Sequence, residues 1–170
     1  AYTLDTQVAA LTVGLQTDSG ASNSDKITNV STLALGARET NAVVEYSTTG
    51  TGAWSTTVPT FVDGAVSVYA RQTDVAGNVS TPTQLTFTLD TTAAAPTVAL
   101  TTDSGTAGDK LTNNTTLNVT GTETGATVQY SANGTTNWQA TALTATQGAN
   151  SAYVRQTDIA GNVSSATKFD

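Results

Sequence analysis

Apolar residues alternate with small or polar ones in short runs along the chain. Leu33 and Leu35 alternate in this way, as do Val44 and Tyr46, then Val66, Val68 and Ala70, then Leu85, Phe87 and Leu89. Leu117 with Val119, and Val128 with Tyr130, repeat the first two patterns further on. A period of two marks strands with one buried face. Turn formers separate the runs: Asp18-Ser19-Gly20, Thr49-Gly50, Asp63-Gly64 and Ala76-Gly77-Asn78, with counterparts later in the chain. The opening residues from Ala1 also read as strand-like, and no segment carries a helical period. About seven short strands in roughly 85 residues is the footprint of an immunoglobulin-like sandwich.

The pattern recurs because the chain repeats itself. LDT at Leu4 returns at Leu89, and TDSG at Thr17 returns at Thr102. DKIT at Asp25 returns as DKLT at Asp109, Trp54 returns as Trp138, and RQTDVAGNVS at Arg71 returns as RQTDIAGNVS at Arg155. The expected organisation is all-β: two tandem immunoglobulin-like β-sandwich domains, end to end as a rod, covering residues 1–88 and 89–170. Residues 1–5 match the tail of a repeat, and the second copy stops at Asp170 where its final strand should run. A piece of a longer array is therefore expected, with neighbouring repeats of the same chain as its first partners. Little of the polar RQTD run is expected in a core. Either its turn is hard to build otherwise, with Gly77 and Gly161 at positive φ, or the loop holds something.

Composition narrows the chemistry. Apolar residues make up 38% of the 170, below the globular norm, and small cores are marginal. With no Cys and no His, disulfides, thiolate sites, nearly all zinc and copper sites, and the Ser–His pair are excluded. A net charge of −7 argues against nucleic acid, since no basic surface would displace counterions. No apolar run is long enough to span a membrane, no signal peptide opens the chain, and a monomer is expected. Two carboxylates could in principle hydrolyse a glycoside. The repeated acids, however, fall at domain ends with no nucleophile–base arrangement, so the chain is not read as an enzyme.

The carboxylates keep register. Of thirteen acidic residues, ten form five repeated pairs: Asp5/Asp90, Asp18/Asp103, Asp25/Asp109, Glu39/Glu123 and Asp74/Asp158. On a sandwich, Asp18 and Asp25 fall at the bottom of domain 1, Asp90 in the linker, and Glu123 and Asp158 at the top of domain 2. Five acids facing one junction would repel one another, and a hard cation removes the problem. Calcium fits an all-oxygen donor set best, with Asn29, Asn78, Asn113 and Asn162 as further contributors. The competing reading is that Asp and Asn merely build Asx-turns, and that Arg71 and Arg155 pair with Glu39 and Glu123 across adjacent strands. Trp54 and Trp138 read as core anchors; exposed, they would suit a sugar.

Taken together, LDT…AP…TDSG…GDK.TN…L.V.GTE.GA.V.YS..G..W…VRQTD.AGNVS resembles the bacterial Ig-like repeats of giant Gram-negative surface adhesins, including biofilm-associated adhesins, many exported by type I secretion. The resemblance spans essentially the whole chain, twice. It implies a rod-like extender on the bacterial surface, stiffened by calcium at domain junctions, with any host-cell or surface receptor reached through other regions. Absence of cysteine suits a chain exported unfolded. The resemblance places ligand roles on Asp18, Asp25, Asp90, Glu123 and Asp158 at the intact junction. Asp5, Glu39 and Asp74 would be half of one junction, and Asp103 and Asp109 half of another. Copy 1 departs by reading GARET where copy 2 reads GTET, and by lacking a counterpart of Pro96. The alternative function is a ligand- or glycan-binding Ig-like module of a secreted protein.

Overall fold

The computed structural model describes all 170 residues. They form two compact units, Ala1–Thr91 and Thr92–Asp170. Both are all-β.

Unit 1 contains β1 (Thr12–Leu15), β2 (Ile27–Thr28), β3 (Leu33–Gly36), β4 (Val43–Ser47), β5 (Gly64–Thr73) and β6 (Thr83–Leu89). β1 pairs antiparallel with β3, and a second sheet runs in the order β2-β6-β5-β4. The long β5 pairs with β6 from Gly64↔Leu89 to Ala70↔Thr83, and with β4 from Val43↔Thr73 to Ser47↔Tyr69. β2 joins β6 in parallel, Ile27 opposite Thr88. The expected alternation places Val66, Val68 and Ala70 of β5 and Leu85, Phe87 and Leu89 of β6 on one inner face. They close around Leu11 and Tyr46, flanked by Val13, Leu33, Leu35 and Phe61. Phe61 meets Phe87 edge-on at 5.6 Å, a favoured aromatic geometry.

Unit 2 contains β7 (Thr97–Leu100), β8 (Leu117–Thr120), β9 (Thr127–Ser131), β10 (Ala152–Thr157) and β11 (Thr167–Phe169). β7 pairs with β8, and β11-β10-β9 form the second sheet. Its buried apolar set is small: Pro96, Ala152, Val154 and Ala160. β11 has three residues against the seven of β6.

Two expectations need correction. Six and five strands form, not about seven in each copy. Residues 48–63 join the backbone ladder only through the Tyr46↔Ser55 bridge; this stretch carries Gly50, Gly52 and Pro59, which weaken or interrupt a ladder. The opening residues are not a strand either. Side chains hold the segment instead: the Thr83 hydroxyl donates to Leu11 O at 2.6 Å, as Thr167 does to Pro96 O at 2.5 Å. Leu11 thus takes the place of Pro96, and both are buried.

Candidate functional site

The repeated ten-residue run is mostly architecture, and more of it is core than its polarity implies. Gln72 and Gln156 are wholly buried, and Asp74, Ser80, Asp158 and Ser164 are nearly so. Burial of polar groups requires partners, and each has them. Gln72 N donates to Ser80 Oγ at 3.0 Å and Ser80 N returns a bond to Gln72 O at 2.9 Å. Gln156 and Ser164 repeat both distances. Inside that closure, Asp74 Oδ1 accepts from Asn78 N at 2.8 Å and Oδ2 from Asn78 Nδ2 at 2.7 Å. Asp158 does the same with Asn162, at 2.8 Å for each bond. Gly77 stands at φ +91° and Gly161 at +95°, as the turn demands. The Asn78 side chain, and then its backbone amide, hold the Asp74 carboxyl below its ordinary range; burial works against them.

Glu39 and Glu123 do not pair with Arg71 and Arg155. Glu39 Oε1 accepts from Ala9 N at 2.8 Å and Glu123 Oε1 from Ala94 N at 2.7 Å. Arg71 pairs instead with Glu45 at 3.0 Å, and Arg155 Nε donates to Gln129 at 3.0 Å. The reason is strand alternation: Arg71 and Glu45 are direct cross-strand partners on the outer face. That face also explains the tryptophans, which are not core anchors. The Arg71 guanidinium lies 4.2 Å from the Trp54 ring centre and Arg155 4.1 Å from that of Trp138, within cation–π range.

In unit 2, carboxylate oxygens of Glu123 and Asp158 lie within 4.8 Å of each other. Their counterparts in unit 1, Glu39 and Asp74, occupy the same loops. Asp5 belongs with them through its backbone: Asn78 Nδ2 donates to Asp5 O at 3.2 Å, while its carboxylate caps Gln7 N at 3.2 Å. At the β2–β6 end of unit 1 stand Asp18, Asp25 and Asp90. Asp90 N donates to Thr28 O at 3.0 Å. Asp25 Oδ1 accepts from Ile27 N at 3.0 Å, an Asx-turn. Asp18 Oδ2 accepts from Lys26 N at 2.8 Å. Unit 2 repeats this: Asp109 Oδ1 caps Leu111 N at 2.9 Å, and Asp103 Oδ2 accepts from Gly108 N at 2.7 Å and Lys110 N at 3.4 Å. Lys26 and Lys110 both stand in the left-handed region, at φ 60° and 59°. No three carboxylates within unit 1 approach as closely as Glu123 and Asp158 do.

The turn-forming bonds account for one carboxylate oxygen each of Asp18, Asp25, Asp103 and Asp109. They leave a second fact unexplained: Oδ1 of Asp18 and Oδ1 of Asp103 are buried without a hydrogen-bond partner. A buried orphan of this kind costs about 1–3 kcal/mol. Asn29 and Asn113 do not supply the missing donor; each gives its backbone amide to a serine hydroxyl, Ser19 at 2.9 Å and Ser104 at 2.8 Å.

The apparent departure of GARET from GTET resolves into one displaced glycine. The Gln72 side chain donates to Ala37 O and the Gln156 side chain to Gly121 O. Ala37 therefore fills the role of Gly121, and it does so at φ 56° against 71°.

A family model described as bacterial Ig-like domain matches residues 3–91, which is nearly all of unit 1. No curated protein matches the chain. Unit 2 carries the same motifs in the same loops. Domains of this kind are common in extracellular or surface proteins and are generally non-enzymatic. The chain belongs to the bacterial Ig-like domain family.

Proposed function

We propose that the chain is a calcium-stabilised spacer of a bacterial cell-surface adhesin, a structural segment that projects an adhesive region. The observation that carries the calcium reading is the buried, unpartnered Oδ1 of Asp18, repeated at Asp103. The same orphaned anionic oxygen in both repeats fits a hard cation, which would satisfy both where no protein donor does. The donor set is all oxygen. Capping bonds leave it capacity, because a carboxylate offers about four lone-pair sites. In this reading the ligands are Asp18, Asp25 and Asp90 at the β2–β6 end of unit 1 and Glu123 and Asp158 in the loops of unit 2, the set that the family resemblance implies. Asp5, Glu39 and Asp74, and Asp103 and Asp109, serve junctions with flanking repeats.

The glycan-binding alternative needs open aromatic faces. The guanidinium groups of Arg71 and Arg155 stack on Trp54 and Trp138, which favours the spacer. Small-angle scattering with parallel melts, in EDTA and in millimolar calcium, tests the proposal on the native chain and on Asp90→Ala. Calcium should straighten the native pair and raise its melting point, and Asp90→Ala should lose most of the straightening. Identical profiles and melting points with and without calcium would reduce the acids to turn formers.

A further inference from the structure

β5 carries Val66, Val68 and Ala70 inward, and the next inward position is Gln72. A small core gives a buried position to an amide, which is costly unless every polar atom is used. Every one is. Gln72 Oε1 accepts from Glu39 N at 2.9 Å, and Gln72 Nε2 donates to Ala9 O at 2.8 Å and Ala37 O at 3.0 Å. Glu39 Oε1 then accepts from Ala9 N. The three residues close a ring: glutamine to glutamate, glutamate to entering chain, entering chain back to glutamine. Unit 2 repeats it, with Glu123 N to Gln156 Oε1 at 2.8 Å, Gln156 Nε2 to Ala94 O at 2.7 Å and Ala94 N to Glu123 Oε1 at 2.7 Å. Gln156 Nε2 also faces Gly121 O at 3.4 Å.

We infer that Gln72 and Gln156 are positioning residues. Each ties the chain entering its unit, at Ala9 or Ala94, to Glu39 or Glu123, and so fixes the glutamate carboxylate before any metal arrives. The ring demands one acceptor and two donors from one side chain deep in the sheet. Glutamate lacks the donors, lysine lacks the acceptor, and methionine has no donor and only a weak thioether acceptor. The entering chain has no β-ladder of its own at Ala9 or Ala94, so these side-chain bonds stand in for one. The consequence for metal affinity rests on the calcium reading above; the tether itself does not.

The test uses the full chain in EDTA, reading amide hydrogen exchange by NMR, followed by calcium titration calorimetry. In Gln156→Met, the Ala94 and Glu123 amides should lose about tenfold in protection, the factor a lost hydrogen bond commands. The Val154 amide in β10 should keep its protection, and the calcium dissociation constant should rise about tenfold. Unchanged protection at Ala94 and Glu123, or a loss spread evenly over unit 2, would overturn the tether. Local loss with unchanged calcium affinity would overturn the positioning role. Local loss in a native chain that binds no calcium would leave the tether standing and refute the calcium reading. Should Gln156→Met not fold, the native side chains decide. The Nε2 protons of Gln72 and Gln156 should exchange far more slowly than those of exposed Gln7, and equal rates would overturn the inference.

Discussion

Replacing Asp18 by Asn isolates the charge at the orphaned oxygen from the turn it sits in. Asp18 Oδ2 accepts from Lys26 N, and the carbonyl oxygen of an asparagine can do the same, so the loop keeps its cap. The amide then occupies the buried Oδ1 position. Without metal, one unsatisfied buried polar group is exchanged for another, each costing about 1–3 kcal/mol, so the two proteins should match to within about 1 kcal/mol. With calcium tenfold above its dissociation constant, the native chain gains about 1.4 kcal/mol per site. Dissociation constants of extracellular modules near 0.1–1 mM set the working concentration. For a unit of this size each kcal/mol moves the melting point by roughly 4–8 °C, so calcium should raise the native transition by about 6–11 °C. Asp18→Asn should rise by about 1 °C or less, since it lacks the site that supplies the linkage. Scanning calorimetry in EDTA and in millimolar calcium separates the outcomes. An equal rise in both proteins would remove Asp18 from the ligand set. A loss of more than about 3 kcal/mol in EDTA would mean that the carboxylate works as a turn former, its charge strengthening the bond from Lys26 N beyond what an amide oxygen supplies.

Three further outcomes follow from the geometry. A Cβ on Gly50, at φ +73°, would come within 2.8 Å of the Tyr69 ring, whereas one on Gly52, at φ +82°, meets nothing. Urea denaturation should therefore show Gly50→Ala losing about 2–4 kcal/mol and Gly52→Ala about 1 kcal/mol, because only the first adds overpacking to backbone strain. Ala37→Gly should stabilise unit 1 by about 0.5–1 kcal/mol, since φ 56° strains alanine more than glycine's added chain entropy costs; an unchanged urea midpoint would contradict this. The Asp74 carboxyl is held below its ordinary 3.8 by Asn78, so its bonds contribute stability above about pH 4 that is lost as pH falls through the lowered value. In EDTA melts from pH 6 to pH 2, Asn78→Ala should melt below the native chain at pH 6 and converge with it at the acid end.

Period-two alternation was legible where strands are apolar on one face, as in β3 to β6. It failed where side chains rather than ladders hold the backbone: Ala9 and Leu11 are fixed by Gln72, Glu39 and Thr83, from residues far along the chain. The repeated acids were found by their register. What register did not reveal is that most serve a local cap, since a capping aspartate and a ligating one look alike in sequence. Gln72 was missed because a glutamine in a polar run reads as surface. The available signal was its position, two residues beyond Ala70 in the inward series Val66, Val68, Ala70. The tryptophans were misplaced because alternation assigns Arg71 and Trp54 to no common face; the pairing arises from how residues 48–55 fold back over β4 and β5.

The parallel pairing of β2 with β6 bears on how unit 1 carries tension. Strand hydrogen bonds run across the strands, and β6 is held on both edges, by seven residue pairs with β5 and two with β2. The bonds from Thr88 N to Lys26 O and from Asp90 N to Thr28 O extend that hold to the last residue before Thr91. A pull along β6 loads these bonds in shear, all together, rather than unzipping them one at a time. Unit 1 thus resists load where β6 leaves it, and in the spacer proposed above that is where tension would act.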